Sequence, residues 1–529
     1  MNCEINLDST LTSDAEIIGS KRTRNSLSHV ARIPSEILGY IFHLTVLPVV
    51  GDCRFAGIGE GAYNFLFVCR HWFQVANCTP ELWCSWGNNL EDWKRFYLRS
   101  GTFALDLVLD GWTCRGGTFD DTLRDALRDR AARGVVRKVH LRGDNVRLLT
   151  DVVSSLTPEG EGIRHSSIES IVLGNVCASD FFARHSFPKL RDLTLLGYPE
   201  MSSWGHLISH TMGLINLSLN SSDAFPPSAI PTTSQILSLS ASNPNIEVLK
   251  LHLPIVNDDG RDGSRFRVSL RHLKRLHLAA KLCPAFSILH RLELPHRIDH
   301  VNLSFYDCTL EEIKESIGPY IRDYLRRDPR FEDRLGIYLS ATGGSISLCA
   351  SVVGVGYHGP NRLPREGPPY AKFTATASES FPCDARERVC IDILALLPQE
   401  SIVYFETNLV VTEEMVLAMH NLEAFYLLNA AISECFPLPK PDGPNAHKKL
   451  LPSLRWLYFR WIEVKNNDWD PLVRYLAHQT SGDQTISLCM ADPWVHICSS
   501  VVEQIEELVE EFIYNPNCDC PFGECPNGT

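Results

Sequence analysis

The segments LRDLTL (190–195) and LKRLHL (273–278) carry the pattern that decides the fold of this chain. In each segment the fourth and sixth residues are leucines and the fifth is a residue of another type. This alternation is typical of a strand that buries one face. Six more segments share the pattern, three strongly and three more weakly: LINLSL (214–219), IEVLKL (246–251), LRWLYF (454–459), VRKVHL (136–141), IESIVL (168–173) and LEAFYL (422–427). The final leucines of the six copies between residues 136 and 278 follow one another after 22 to 32 residues, a spacing typical of solenoid repeats.

The repeat pattern matches leucine-rich repeats, although its spacing is irregular and the asparagine or cysteine that usually follows the strand is mostly absent. We therefore predict an α/β fold in which an irregular leucine-rich-repeat solenoid sets short parallel strands side by side, with helices or loops between them. A mixed α/β domain with only a few parallel strands is the alternative. Residues 304–400 break the repeat spacing. A helix is predicted at 310–329 and strands at 334–340 and 345–357, and this segment is either an elaborated repeat pair or an insertion.

The bulk composition is that of a globular protein. The 529 residues are 44% hydrophobic and 21% charged, and 50 lysines and arginines stand against 63 aspartates and glutamates, a net charge of −13. An acidic balance argues against a general binder of nucleic-acid phosphates, so no nucleic-acid partner is predicted.

Neither a secretory signal nor a membrane span is predicted. The first 16 residues carry acids and no apolar run, and the most apolar stretch, residues 346–357, is too short and too rich in glycine to cross a bilayer. Most of the 18 cysteines stand singly among apolar residues, so we expect buried thiols in a reducing compartment and not disulfides. Those that show this best are Cys69, Cys177, Cys283, Cys349 and Cys489.

A separate helical module is predicted between residues 32 and 86. Pro34 suits the first turn of a helix, and the one-turn recurrence of Ile37, Leu38, Ile41 and Phe42 predicts one apolar face. Residues 46–64 contain a proline and four glycines, which predicts a loop. A second helix is expected to end near residue 77, and Thr79 is placed to cap a final turn at residues 80–83.

The motifs of this module resemble the F-box, a three-helix module abundant in fungi. The pattern I-P-x-E-I-L-x-x-I-F is followed by V-C-R-x-W-x-x-x-A and P-x-L-W, with a longer loop between the first two blocks than the family has. The resemblance covers about 55 residues and implies docking to a Skp-type adaptor, which links to a cullin in a ubiquitin ligase. Three short helices cannot bury ten large apolar side chains among themselves, so these form the predicted adaptor-binding set: Ile33, Pro34, Ile37, Leu38, Ile41, Phe42, Val68, Trp72, Leu82 and Trp83.

The alternative for these ten side chains is that they pack inward against the repeats as an N-terminal cap. The repeats offer a second surface, because the middle residue of each L-x-L pair points away from the core. In chain order these residues are His140, Val172, Thr194, Ser218, Lys250, His277, Tyr426 and Tyr458. Their mixture of aromatic, hydroxyl and cationic groups suits protein recognition, and a solvated surface without a ligand is the other interpretation.

No motif of catalysis or metal binding is found. Three cysteines near the end, at positions 518, 520 and 525, are one ligand short of a structural zinc site and are interpreted as free thiols. The chain has no G-x-S-x-G, H-E-x-x-H or phosphate-binding glycine motif. We therefore predict no cofactor and no enzymatic activity; an enzyme with a pocket in residues 304–400 is the remote alternative.

The domain organisation predicted from these patterns has four parts. A flexible tail (1–30) contains the basic cluster KRTR, and the F-box-like module (31–86) precedes the repeat array (87–515) and a flexible cysteine-containing tail (516–529). The sequence thus predicts a cytoplasmic or nuclear substrate-recognition subunit of a Skp–cullin–F-box ubiquitin ligase, with an unknown target protein on the repeats. The competing prediction is a protein-interaction scaffold with no role in ubiquitin transfer.

Overall fold

A computed structural model of the chain describes residues 16, 19–20, 23, 32–46, 64–86, 93–110, 121–142, 146–156, 167–174, 182, 186–197, 204–220, 230–256, 267–342, 345–352, 370–377, 383–409, 411, 415–416, 419–428, 451–460, 469–480, 484–490 and 497–514. The chain divides into two compact units, Met1–Leu214 and Ile215–Thr529. Most of the predicted 46–64 loop, most of KRTR, Cys177 and the C-terminal cysteines lie outside the described residues. Within the predicted N-terminal tail, the four described residues are helical.

The first unit begins with the helical module and continues into parallel strands. The module consists of helix α1 (Ser35–Val46), a 3-10 turn (Asn64–Phe67), helix α2 (Arg70–Asn77) and a 3-10 turn (Pro80–Trp83). The elements that follow are β1 (Ser85–Trp86), α3 (Trp93–Ser100), β2 (Leu105–Asp110), α4 (Asp121–Ala132), β3 (Val136–Arg142), α5 (Val146–Leu156), β4 (Ser170–Gly174), β5 (Asp192–Leu196) and α6 (Trp204–His210).

The leucine pattern sets the register of these strands. Strands β1 to β5 pair in chain order and all in parallel. Leu141, Leu173 and Leu195 lie directly opposite one another, and each is almost fully buried. Because the repeated leucines stack into one row, each repeat buries its apolar face against its neighbours.

The second unit contains a longer sheet of the same kind. Its elements are β6 (Asn216–Asn220), α7 (Thr233–Ala241), β7 (Val248–His252), β8 (Val268–Ser269), β9 (Arg275–Lys281), α8 (Leu282–Arg291), β10 (Leu292–Glu293), β11 (His300–Cys308), α9 (Leu310–Glu312), a π-helical turn (Ile313–Ile317), α10 (Gly318–Arg327), α11 (Arg330–Asp333), β12 (Leu335–Thr342), β13 (Ser345–Val352), β14 (Tyr370–Ala377), α12 (Cys383–Leu396), a 3-10 turn (Gln399–Ser401), β15 (Ile402–Thr407), β16 (Ala424–Leu428), β17 (Trp456–Arg460), α13 (Asp470–Thr480), β18 (Ser487–Met490), α14 (Ser499–Leu508) and β19 (Glu511–Tyr514). All eight repeat segments predicted from the sequence contribute a strand to one unit or the other, which confirms the α/β prediction.

The irregular segment extends the sheet of the second unit and does not interrupt it. The strand order is β6-β7-β9-β11-β14-β13-β12-β15-β16-β17-β18-β19, and every pairing in it is parallel except the two made by β13. The three-stranded meander β12–β14 therefore replaces a repeat, with its last strand joined to β11 and its first strand joined to β15. The row of buried apolar side chains that the leucines form in the repeats continues through the meander. In this row Leu303, Phe373, Leu348 and Leu339 lie opposite one another in turn.

Two predicted helices differ in detail from what the sequence suggested. The 310–329 helix forms, but with a π-helical turn at Ile313–Ile317 just before Pro319, which has no N–H to donate to the preceding turn. The apolar spacing of residues 501–514 predicts one helix, and this prediction is wrong beyond Leu508, because residues 511–514 form β19 and pair with β18. An unpaired sheet edge favours such an added strand.

Candidate functional site

The helical module has a filled interior built from four of the predicted residues. Leu38, Phe42, Leu82 and Trp83 are each at most 1% exposed. The ring of Phe42 stacks on Phe65 with 4.3 Å between centroids, and the indole Nε1 of Trp83 donates a hydrogen bond to the carbonyl of Ala76 at 2.8 Å. These contacts fix α1, α2 and the final turn against one another.

Helix α1 carries apolar side chains on its outer side as well. Ile37, Tyr40, Ile41 and Leu44 are exposed by 53%, 61%, 39% and 52%, and they follow the i, i+3, i+4, i+7 spacing of one helical stripe. The prediction that Ile37, Leu38, Ile41 and Phe42 share one face was therefore wrong. Leu38 and Phe42 point inward while Ile37 and Ile41 point outward.

The second block adds apolar groups to the exposed surface of the module. Phe67, the last residue of the first 3-10 turn, is 83% exposed, Val68 after it is 56% exposed, and Phe73 on α2 is 38% exposed. We call the exposed apolar residues of the module the docking surface. They are Ile37, Tyr40, Ile41, Leu44, Phe67, Val68 and Phe73.

The ten residues predicted from the sequence thus separate into three groups. Leu38, Phe42, Leu82 and Trp83 form the interior, and Ile33 and Trp72 are half-buried against it. The four exposed members are Pro34, Ile37, Ile41 and Val68. The sequence analysis missed Tyr40, Leu44, Phe67 and Phe73, of which the first two could have been found by testing the 37/40/41/44 spacing.

Local backbone contacts explain how the module is assembled. The N–H of Leu38 donates to the carbonyl of Pro34 at 2.9 Å, which starts α1 as predicted. A Cβ at Gly39 would lie 3.1 Å from Oγ1 of Thr79, so a residue without a side chain lets α1 approach the final turn. The expected cap role of Thr79 was wrong, because its hydroxyl donates to the carbonyl of Val75 at 2.8 Å.

A shallow cleft of about 680 Å³ lies beside α1 and α2 in the same module. Its lining includes Tyr40 together with His43, His71, Glu36 and Glu81, so an aromatic ring of the docking surface borders polar groups. Apolar groups with a polar border are the usual composition of a protein interface. The nearby thiol of Cys84 has its pKa raised to about 11, mainly by burial, and is therefore neutral at pH 7.

The outward row of the repeats has the predicted register but not a uniform exposure. His140, Val172 and Thr194 lie opposite one another in the first unit. In the second unit Ser218, Lys250 and His277 align in turn, as do Tyr426 and Tyr458. The expectation of one exposed face was wrong for three members, since Val172, Tyr426 and Tyr458 are buried.

The buried part of the row is an aromatic cluster in the second unit. The rings of Tyr426 and Tyr458 stack with centroids 4.3 Å apart, Tyr404 packs on Tyr426, and Cys489 lies next in register. The hydroxyl of Tyr404 donates to Oε2 of Glu406 at 2.7 Å, and burial raises the pKa of Tyr458 well above its usual range. This end of the row contributes packing and not an exposed surface.

A second cleft, of about 790 Å³, lies at the amino ends of strands β15 to β19. Arg334 and Glu423 in its wall form a bidentate ion pair with N···O distances of 3.0 and 2.8 Å, and Arg455 and Glu510 line it as well. The charges of Arg334 and Glu423 are therefore compensated within the cleft wall.

The part of the chain that the structure describes holds no metal-ligand cluster and no membrane-spanning helix: no group of three or more histidine, cysteine or acidic side chains is arranged to hold a metal ion, and no helix is long and apolar enough to span a bilayer. Cys489 is buried as predicted and Cys69 and Cys349 are half-buried, whereas Cys283 is exposed, contrary to the prediction. None of these four described cysteines forms a disulfide.

Comparison with known proteins gives structural matches only. No protein-family model matches the chain, and no curated protein matches it significantly. Among solved structures it is similar to a leucine-rich repeat protein of Leptospira interrogans, with 12% identity, 83% of this chain and 86% of the other covered, and a TM-score of 0.29. It is also similar to the leucine-rich repeat-containing protein LegL7 of Legionella pneumophila, with 12% identity, 72% and 98% covered, and a TM-score of 0.22. Because both TM-scores are below 0.5, the repeat architecture rests on this chain's own strands and registers.

Proposed function

We propose that this chain is the substrate-recognition subunit of a Skp–cullin–F-box ubiquitin ligase. The observation that carries the proposal is the exposed apolar stripe Ile37, Tyr40, Ile41 and Leu44 on a module whose interior is already filled by other side chains. Residues 33–42, which include Ile37 and Ile41, resemble the first block of the F-box, and this resemblance implies a Skp-type adaptor as the occupant. In this role the protein works in the cytoplasm or the nucleus.

The exposure pattern supports docking over an N-terminal cap. A cap would bury its outer residues, whereas Phe67 at 83% and Val68 at 56% are open to solvent in the same module as the stripe. Exposed apolar groups gathered on a small module usually mark an interaction site, because their burial by a partner is favourable at about 25 cal/mol per Å².

The proposed mechanism is proximity. The docking surface holds the adaptor, the repeats hold a target protein, and a separate conjugating enzyme carries out ubiquitin transfer. Tethering raises the effective concentration of the target at that enzyme, so this chain contributes geometry and no catalytic group.

A direct test is binding of the full-length chain to purified Skp-type adaptor by titration calorimetry. The variant Ile37→Asp, Ile41→Asp should lose at least 100-fold in affinity, because two charges would have to be desolvated in an apolar interface. The matched control, Leu98→Asp with Met212→Asp, changes two apolar side chains that are 78% and 62% exposed elsewhere in the first unit and should bind normally.

Two outcomes would count against the proposal. If the folded parent chain does not bind the adaptor, the ligase assignment is wrong. If both double variants lose binding equally, the docking surface is not the adaptor site.

The second candidate function is an interaction scaffold without ubiquitin transfer. Its support is the repeat array itself, whose parallel strands set their leucines side by side in register. Adaptor binding without ubiquitination of any target in a reconstituted ligase would favour it.

A further inference from the structure

The outward side of strands β7, β9, β11 and β14 in the second unit, which is half-buried to exposed, concentrates positive charge. Lys250, His277, Asn302 and Lys372 lie directly opposite one another on the adjacent strands β7, β9, β11 and β14. Two residues earlier on the middle strands, Arg275 and His300 form the neighbouring pair. We call these side chains the cationic patch: Lys250, Arg275, His277, His300, Asn302 and Lys372.

The charges of the patch are not compensated locally. Within the described residues, Lys250, Arg275 and Lys372 form no ion pair, and the two aligned rows contain no carboxylate. Among the described residues, three carboxylates at the ends of these strands are engaged by other bases: Glu247 with Lys274 at 2.7 Å, Asp307 with Lys281 at 2.9 Å and Asp299 with Arg330 at 3.6 Å. A partner would therefore meet unpaired cations.

Two histidines form the floor between these cations. The rings of His277 and His300 stack with centroids 4.8 Å apart. Burial, and then the charges around it, lowers the pKa of His277 to about 4, so this ring is neutral at pH 7. Lys250 and Arg275 contribute to that shift after burial, as nearby positive charges do.

The dimensions of the patch indicate the form of its ligand. Four adjacent strands span about 14 Å at the usual spacing of 4.7–4.9 Å, so the cations are spread in a line and do not converge on one point. Such a line fits successive carboxylates on an extended chain better than a single phosphate group. A nucleic acid is disfavoured by the net charge of −13 on the whole chain.

We infer that the cationic patch binds an extended, aspartate- and glutamate-rich segment of a partner protein. That this partner is a ubiquitination target rests on the proposed function; the binding itself does not. Complementary charge of this kind steers association and selects among partners more than it adds affinity, so the interaction should weaken as salt is raised.

The test uses the full-length chain without adaptor and a fluorescein-labelled acidic decapeptide, with fluorescence anisotropy as the readout. The triple variant Lys250→Ser, Arg275→Ser, Lys372→Ser should bind at least 10-fold more weakly than the parent. The matched control Arg271→Ser, Arg297→Ser, Arg326→Ser removes three exposed cations of the same unit that lie outside the patch, and should stay within twofold. Thermal melting of each variant establishes that it is folded.

Each of four results would overturn the inference. Two concern the protein: the parent does not bind the acidic decapeptide, or both triple variants lose the same affinity for it. Two concern the ligand: a lysine decapeptide binds as tightly as the acidic one, or a phosphoserine peptide or single-stranded oligonucleotide of equal charge binds more tightly. Adaptor binding by the same preparations reports separately on the proposed function. Loss of peptide binding with intact adaptor binding would therefore remove only the acidic-segment assignment.

Discussion

Helix α1 in the first unit and strand β7 in the second bury one side and expose the other, but they differ in what they expose. The inner residues are alike, with Leu38 and Phe42 on the helix and Leu249 and Leu251 on the strand. The outer residues of β7 include Lys250 and His252, whereas α1 exposes a stripe of isoleucine, tyrosine and leucine. The polar side chains on the outer side of the strand are favourably hydrated, whereas the apolar side chains on the outer side of the helix are stabilised by burial against a protein surface.

The largest expected effect separates the two sides of α1. Phe42→Ala should lower the free energy of unfolding by about 3–5 kcal/mol, because it opens a cavity beside Phe65, while Ile41→Ala should change it by less than about 0.5 kcal/mol. Urea unfolding followed by tryptophan fluorescence measures both. Equal destabilisation by the two variants would mean that the outer stripe is part of a packed interior.

The same contrast should hold on β7, with a somewhat smaller effect. Leu249→Ala should cost about 2–5 kcal/mol because Leu249 is fully buried, and Lys250→Ala should lie within about 0.5 kcal/mol of the parent. A urea titration followed by circular dichroism compares the pair. A large loss from Lys250→Ala would show that the cationic patch stabilises the sheet and is not reserved for a partner.

A smaller effect sharpens the account of the module's interior. Trp83→Phe keeps an aromatic ring but removes the hydrogen bond from Nε1 to the carbonyl of Ala76, and should cost about 1–2 kcal/mol. Adaptor affinity should stay within threefold, since Trp83 is 1% exposed. Loss of adaptor binding in a stably folded Trp83→Phe chain would place this side chain in the interface and not in the interior.

The smallest effect concerns pH and the outer side of the sheet. Because the pKa of His277 is about 4 in the folded chain and near 6.5 when unfolded, its contribution to stability is complete above pH 6.5 and is lost as the pH falls toward 4. Melting temperatures at pH 7.0 and 5.0 should therefore differ less in His277→Gln than in the parent. An unchanged difference would mean that this ring is not held neutral by the fold.

The repeat strands were predictable from the sequence because their leucines alternate at period two and recur along the chain. Of the meander, β12 and β13 were predicted as separate strands and β14 was not predicted; no local signal tells that β14, and not β12, joins β11. Helix α1 was predicted, but its sides were assigned wrongly. Large apolar side chains lie on two sides of this helix, so the spacing alone does not tell which side is inward, and the contact of Phe42 with Phe65 is set by tertiary packing.

The outward row shows the same limit. Its register follows from strand alternation, so Lys250 and His277 were placed correctly beside each other. The burial of Tyr426 and Tyr458 in an aromatic cluster depends on the surroundings of the folded sheet, which the alternation does not encode.

The most direct test of the central claim is hydroxyl-radical footprinting of the full-length chain with and without purified Skp-type adaptor. If the docking surface holds the adaptor, oxidation of Tyr40, Phe67 and Phe73 should fall at least fivefold on binding. Oxidation of Leu98 and Met212, which are exposed elsewhere in the first unit, should stay unchanged. A complex that leaves Tyr40 and Phe67 as reactive as in the free chain would contradict the account.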